Sequence, residues 1–171
     1  MTSFALLSQS LIAGVLVLAV VSKLRAPADV EAAVGTLLRV ARHPTGRRLT
    51  RLLVAAELTV AALVIAPATA PAGLALAAAL MWGFAAFVAV TVRGRRRVPC
   101  PCFGPSRTPL GPVHVVRNVL LGAVAAFGAA ATAYVPANPL QPGEVVVTLV
   151  AAAFGVGMAA FADDVHALFR I

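Results

Sequence analysis

The sequence predicts an all-α protein, a polytopic transmembrane helical bundle with four core spans, a fifth span and one amphipathic interfacial helix. Of its 171 residues, 61% are hydrophobic and only 12% are charged, and the apolar residues fall in long uncharged runs. Soluble domains are nearer half apolar and a quarter charged, and a chain this short cannot hide so much apolar surface in one core. The composition therefore excludes a soluble enzyme domain, and we expect residues 1–171 to form a single integral membrane domain.

Five stretches are apolar enough to cross a bilayer, namely residues 4–21, 52–66, 72–92, 119–135 and 145–162. A spanning helix needs about 20 residues, so the short second stretch should borrow flanking residues or sit tilted. The first stretch lacks a basic segment before it, which favours a retained helix over a cleaved signal peptide. The fifth contains Gly155 and Gly157, and it could instead lie against the bundle.

The segment between the first two spans has helical periodicity of its own. Its apolar residues include Val30, Val34 and Leu37, and it is bounded by Pro27 and Pro44. Acidic residues stand at its start and basic residues near its end, which suits the helix dipole. We expect an amphipathic helix that lies on the membrane surface or caps the bundle, with a connecting role as the simpler interpretation.

The basic residues predict the orientation. Under the five-span scheme, all 14 Lys and Arg residues lie on one side of the membrane, and the opposite loops, residues 67–71 and 136–144, contain none. The positive-inside rule then places the N-terminus outside and the C-terminus in the cytoplasm. With abundant Ala, Gly, Pro and Arg, the composition is typical of a GC-rich bacterium, which predicts the bacterial inner membrane. The chain has a net charge of +8, and its basic residues border the apolar runs. This position favours lipid headgroups over nucleic acid as the partner of these residues.

The only two cysteines, Cys100 and Cys102, stand one residue apart in the loop between the third and fourth spans. A disulfide at this spacing needs a bent backbone, and Pro101 restricts the conformation of both itself and Cys100. A strained small ring would be readily reduced, so the pair favours thiol–disulfide exchange. Two alternatives stay open: a metal site, for which His114 is the only nearby further ligand, and an inert turn. A structural zinc site takes four ligands, and this segment offers only two cysteines and one histidine, so no metal ligands are assigned.

A polar layer is predicted beside this loop. Glu57 lies inside the second span, where an unpaired charge would be costly. Lys23 ends the first span and Arg117 opens the fourth on the same side, so we expect Glu57 to pair with one of them. Asn118 should add a hydrogen bond, and His114 could donate a proton or cap a helix. The layer acts either as a structural clamp or as a proton relay for the thiols.

Together these residues resemble the methylamine utilisation protein MauE family, within the wider DoxX-like membrane proteins. The resemblance is carried by Ser22-Lys23-Leu24, Glu57, the run Cys100-Pro101-Cys102-Phe103-Gly104 and Arg117-Asn118. It spans the first through fourth predicted spans, and Pro101 stands where the family often has Gly. The resemblance implies a helical bundle with Cys100 and Cys102 as the redox pair and Lys23, Glu57, Arg117 and Asn118 as polar supports.

What the resemblance implies about function is a role in the maturation of an exported redox enzyme such as methylamine dehydrogenase, through disulfide formation, processing or transport, beside a thioredoxin-like partner. No motif supports a quinone cofactor, and no other cofactor is predicted. The alternative function is a non-catalytic membrane scaffold or assembly subunit of the DoxX type. One conflict accompanies the redox hypothesis: the positive-inside rule places the cysteines in the cytoplasm, where thiols are kept reduced.

Overall fold

A computed structural model describes residues 2–38, 45–94, 111–134 and 139–168, with side chains described in most of this range and not beyond Phe161 in the last helix. All of these residues lie in helices or the turns that join them. The helices are α1 (Thr2–Arg25), α2 (Pro27–Leu38), α3 (Thr45–Ile65), α4 (Ala70–Arg93), α5 (Pro112–Tyr134) and α6 (Pro142–Leu168). The predicted all-α fold is confirmed.

Four helices are long and apolar enough to cross a membrane: α1, α4, α5 and the part of α6 from Pro142 to Phe161. The stretch predicted as the fifth span is therefore one of the four. The second predicted span, which lies in α3, is not among them, because α3 carries Arg47, Arg48, Arg51 and Glu57 within its 21 residues. Helix α3 does extend beyond the apolar run, since it begins seven residues earlier.

Helix α1 lies at the centre of the bundle and packs against α3, α5 and α6. The core is made of apolar side chains from these helices and α4, with Ile12, Leu16, Val64 and Leu74 fully enclosed. The faces turned outward remain strongly apolar, since Val90, Phe127, Val147 and Phe154 are each about 70% exposed. A broad apolar exterior is unfavourable in water and matches a lipid environment.

Small residues allow neighbouring helices to approach closely. A Cβ at Gly73 of α4 would lie 2.6 Å from the backbone of Leu63 and Val64 in α3, and a Cβ at Gly14 of α1 would meet Val156 of α6. On α5, Gly122 receives the indole of Trp82, whose Nε1 donates a 3.3 Å hydrogen bond to the Val119 carbonyl oxygen. Close packing at small residues is the usual means of helix association where lipid removes the hydrophobic driving force.

Consecutive long helices run in opposite directions. Gln9 near the start of α1 donates to the Val64 carbonyl oxygen near the end of α3, whereas Lys23 near the end of α1 reaches Glu57 further back in α3. A short turn with Thr69 then reverses the chain into α4. Helix α5 reverses it again, because Gly122 meets Trp82 whereas Gly128, further along α5, meets Leu74, further back in α4. Helix α6 runs parallel to α1. Leu11 meets Gly155, and Gly14, which lies further along α1, meets Val156, which lies further along α6.

The amphipathic segment forms α2, as predicted, and packs against α3. Its Val30 is buried, and a 3.9 Å ion pair joins the exposed side chains of Glu31 and Arg47 of α3. Pro27 is the first residue of this helix, a position that tolerates proline because its missing N–H would have no intrahelical partner. Pro44, the predicted stop, and the basic residues Arg39, Arg42 and His43 lie outside the described residues.

Candidate functional site

The interior of the bundle changes from apolar to polar along its length. Among the described residues, nine buried side chains are polar or charged, and seven of them lie toward one end of the bundle. We call this group the polar end, and it consists of Ser22 and Lys23 on α1, Thr50 and Glu57 on α3, Thr91 on α4, and His114 and Arg117 on α5. The same four helices are lined at the opposite end mainly by small and aliphatic residues.

The buried face of α3 shows this gradient most clearly. Val64, Glu57 and Thr50 follow one another at seven-residue intervals, so they lie on one face of the helix. Val64 is fully enclosed by apolar neighbours, Glu57 forms an ion pair, and Thr50 is buried near the start of the helix. One helix face therefore passes from core to charged layer within about 21 Å, at 1.5 Å per residue.

Glu57 pairs with Lys23, which is one of the two bases that the sequence offered as its partner. The Lys23 ammonium donates to both carboxylate oxygens, at 2.8 and 2.9 Å, and both side chains are more than nine-tenths buried. Helical side chains lean toward the N-terminus of their own helix, and α1 and α3 are antiparallel. The two side chains therefore lean toward each other, which brings their charged ends together inside the bundle.

Arg117, the other predicted base, contacts a different helix. Its Nη1 donates a 3.3 Å hydrogen bond to the Ala159 carbonyl oxygen of α6. Arg117 lies in the second turn of α5, because this helix begins at Pro112 and not at the apolar run that starts at residue 119. A buried guanidinium thus joins α5 to α6 at the depth of the polar end.

Asn118 and His114 both engage the first turns of α5. The Asn118 side-chain amide donates to the His114 carbonyl oxygen at 2.8 Å, so the hydrogen bond that Asn118 makes lies within its own helix, one turn back. The Nδ1 atom of buried His114 accepts a 3.3 Å hydrogen bond from the Gly111 N–H. That bond satisfies a backbone donor at the helix start, which is the capping role that the sequence left open for His114.

The polar end is the end at which the cysteine loop begins and returns. α4 ends at Arg93 and α5 begins at Pro112, and the intervening chain carries Cys100 and Cys102. Both cysteines lie outside the described residues, so their predicted pairing stays a prediction. Among the described residues, no three His, Cys, Asp or Glu side chains are grouped to hold a metal ion.

The comparison with known families decides the relationship. The family model described as methylamine utilisation protein MauE matches residues 1–131. The chain belongs to the MauE family. No curated protein and no solved structure matches the chain. The MauE match includes α1 to α4 and most of α5, so every residue of the polar end lies within it, and α6 with Ala159 lies beyond it.

Sequence reasoning missed two members of the polar end, Thr50 and Thr91, and it gave Ser22 no role beyond its place in the family resemblance. Each is a small hydroxyl residue among apolar or basic neighbours, and such residues also face lipid or solvent in many helices. The available signal was the seven-residue interval from Thr50 to Glu57, which places both on one helix face.

Proposed function

We propose that this MauE-family membrane protein is a thiol–disulfide exchange protein in which Cys100 and Cys102 alternate between dithiol and disulfide. The observation that carries the proposal is the position of the polar end. Buried hydroxyl, imidazole and charged groups from four helices gather at the end of the bundle where the cysteine loop is anchored. A scaffold of helices does not require this concentration of costly polar groups at the end where the segment with its only two cysteines is attached.

The exchange follows ordinary thiol chemistry. A thiolate of a client dithiol attacks one sulfur of the Cys100–Cys102 disulfide and forms a mixed disulfide, and the second client thiolate then displaces that sulfur. The client gains a disulfide, while Cys100 and Cys102 receive two electrons and, on protonation, two protons. A thioredoxin-like disulfide returns the pair to its oxidised form by the same two steps in reverse, and it becomes a dithiol.

The polar end supports this chemistry by position and by charge. Lys23 and Glu57 neutralise each other, which fixes α1 against α3, and Arg117 adds a cationic group on α5. A cationic environment near a cysteine favours its thiolate, the nucleophilic form. We therefore assign Lys23, Glu57, Arg117, Asn118 and His114 to the positioning of the loop and its electrostatic environment, with Cys100 and Cys102 as the exchanging residues.

For the membrane arrangement, we propose five crossings in the bacterial inner membrane, with the N-terminus outside. Helix α3 has 21 residues, or about 31 Å. It contacts α1 near both ends of α1, at Gln9 and at Lys23. Its buried carboxylate is neutralised by Lys23, and its arginines lie toward its start, so α3 is suited to cross beside α1. The polar end and the cysteine loop then face the cytoplasm.

The client that fits the family is an exported redox enzyme such as methylamine dehydrogenase, and the partner is a thioredoxin-like protein. Cysteines on the cytoplasmic face would exchange with a cytoplasmic thioredoxin-like protein, and the electrons released when the exported client gains its disulfide would be relayed across the membrane to that partner. An alternative is a loop that re-enters the membrane and reaches the outer face. Both arrangements keep the same two sulfurs as the reacting atoms.

The exchange is tested with purified protein in detergent. The oxidised protein is mixed with reduced thioredoxin, and the free thiols of both are counted by the mass added by a maleimide. We expect two thiols to appear on the membrane protein as two disappear from thioredoxin. The C102S variant is mixed instead with oxidised thioredoxin, whose disulfide the Cys100 thiolate should attack to form a mixed disulfide that dithiothreitol releases, with one thiol freed on thioredoxin. The C100S/C102S variant should show neither reaction. If oxidants produced no Cys100–Cys102 disulfide, thiol–disulfide exchange would be excluded, and the non-catalytic scaffold would remain as the function.

The orientation is tested separately in intact cells with a membrane-impermeant maleimide. We expect Cys100 and Cys102 to react only after the cells are permeabilised. A matched control is Ala68→Cys in the C100S/C102S background, since Ala68 is exposed in the turn between α3 and α4 at the opposite end. This cysteine should react from outside. Labelling of Cys100 and Cys102 from outside would overturn the orientation but not the exchange.

A further inference from the structure

Two buried hydroxyl groups at the polar end differ from the other buried hydroxyl groups of the described residues. The Ser22 Oγ and Thr50 Oγ1 atoms are enclosed, in residues that are 8% and 5% exposed, and neither atom has a hydrogen-bond partner among the described residues. In a helix, such a hydroxyl ordinarily donates to a backbone carbonyl in the preceding turn. Other hydroxyls of this bundle do so, namely those of Ser8, Thr59, Thr91, Thr132 and Thr148.

The two hydroxyls lie at the same depth. Starting from the contact of Gln9 with Val64, Ser22 lies thirteen residues along α1 and Thr50 fourteen residues back along α3. At 1.5 Å per residue these are about 20 and 21 Å in the same direction, because the helices are antiparallel. Both hydroxyls therefore lie between the Lys23–Glu57 ion pair and the end of the bundle.

The third wall at this depth is α5. Ser8 of α1 lies directly against Gly128, since a Cβ on that glycine would meet the serine hydroxyl. Ser22 follows Ser8 by fourteen residues and His114 precedes Gly128 by fourteen, so Ser22 and His114 lie at one level on antiparallel helices. Fourteen residues complete nearly four helical turns, so each pair shares a face.

We infer that the polar end holds internal water, bound by Ser22 and Thr50 between α1, α3 and α5. Buried polar groups in native proteins have hydrogen-bond partners, and water supplies them where the walls are polar and several donors and acceptors converge. Here the walls provide two hydroxyls, an imidazole and a buried ion pair. Among the described residues, the apolar end of the same helices has no comparable cluster of buried polar side chains, so we expect that end to stay dry.

This water gives the buried ion pair contact with the end of the bundle that carries the cysteine loop. Its consequence for thiol exchange rests on the proposed function, because thiols release and regain protons in each cycle. Water at Ser22 and Thr50 is then the carrier of those protons at the end of the bundle to which the loop is attached. The water site itself does not depend on the cysteines, and it is expected equally in a C100S/C102S protein.

The test is a water-edited solid-state NMR measurement on the full-length C100S/C102S protein in lipid vesicles, with ¹³C-labelled Ser and Thr. Magnetisation passes from water to nearby side chains, and its build-up reports their distance from water. Signals are assigned by their loss in Ser22→Ala, Thr50→Val and Ser8→Ala variants. Ser8 is the matched control, since it is a fully buried serine two heptads before Ser22 whose hydroxyl donates to Ala5.

We expect the Ser22 and Thr50 signals to build up several times faster than the Ser8 signal. Equal and slow build-up at all three positions would show that the polar end is dry, and the inference would be wrong. Equal and fast build-up would also overturn it, because water would then enter the whole bundle and not a site at one end. Since the variants serve only for assignment, the result does not depend on their stability, and it leaves the exchange chemistry to its own test.

Discussion

The Lys23 ammonium of α1 contacts both carboxylate oxygens of Glu57 on α3, and this buried pair joins two helices that are adjacent in the bundle. Its net contribution to stability is limited by the cost of removing two charges from water. Removing one partner is a different matter, because the remaining charge is then buried without compensation. The pair therefore makes stability sensitive to single substitutions at either residue.

We expect Glu57→Gln or Lys23→Met each to destabilise the protein by about 3–5 kcal/mol, because each leaves one buried charge unpaired. The double variant K23M/E57L should recover much of this loss. Thermal unfolding in detergent measures the effect. Glu31→Gln is the control, since the exposed Glu31–Arg47 pair should contribute less than about 1 kcal/mol. Equal small effects at Glu57 and Glu31 would contradict the buried pairing.

Gly73→Ala is expected to separate α3 from α4. Its new Cβ would lie 2.6 Å from the backbone of Leu63 and Val64, and a backbone cannot move aside as a side chain can. We expect a loss of about 1–3 kcal/mol, measured as a lower unfolding temperature. Gly157→Ala on α6 is the control, because a Cβ at that position would have no neighbouring atom within 4 Å. A neutral Gly73→Ala would show that these helices are further apart.

Gly122→Ala is expected to displace the Trp82 indole, which the new Cβ would meet directly. The displacement also lengthens the hydrogen bond from the indole to Val119, so the intrinsic tryptophan fluorescence should change along with a loss of about 1–3 kcal/mol. Gly83→Ala, next to Trp82 but with open space at its Cβ, should be neutral or stabilising. Trp82 is the only tryptophan, so the fluorescence reports this site alone.

Arg117→Ala should loosen α6 without unfolding the rest of the bundle. It removes the hydrogen bond to the Ala159 carbonyl, and bonds from charged donors contribute about 1.5–3 kcal/mol. Hydrogen exchange measured by mass spectrometry should become faster in α6 near Ala159 and remain unchanged in α3. Exposed Arg51 provides the control variant, Arg51→Ala, which should alter neither helix. Unchanged exchange in α6 would show that Arg117 does not hold it.

Several elements were predictable because local rules govern them. Long uncharged runs predict membrane helices, and α2 follows from its bounding proline and helical periodicity. The helix starts were less predictable: α3 and α5 each begin seven residues before their apolar runs. A helix can continue through polar and charged residues where they find partners. Glu57 of α3 pairs with Lys23 of α1, and His114 accepts a backbone N–H at the start of α5.

The choice between partners for Glu57 could not be made from sequence. Lys23 and Arg117 were equally placed by topology, and only the antiparallel packing of α1 on α3 brings the Lys23 ammonium to the carboxylate. Arg117 points instead to α6, and Asn118 bonds within its own helix. Partner choice depends on which helices are neighbours and on how each is rotated, and these are properties of packing.

The amino-acid sequence by itself determined that this chain is a helical membrane protein, because the free energy of placing long apolar runs in lipid is a sum over residues. It also carried the motif residues that link the chain to the MauE family. Only the tertiary structure decided that Ser22, Thr50, His114 and the Lys23–Glu57 pair share one end of the bundle. Residues from separate helices meet there because close contacts at glycines, such as Gly73 and Gly128, fix the register between helices.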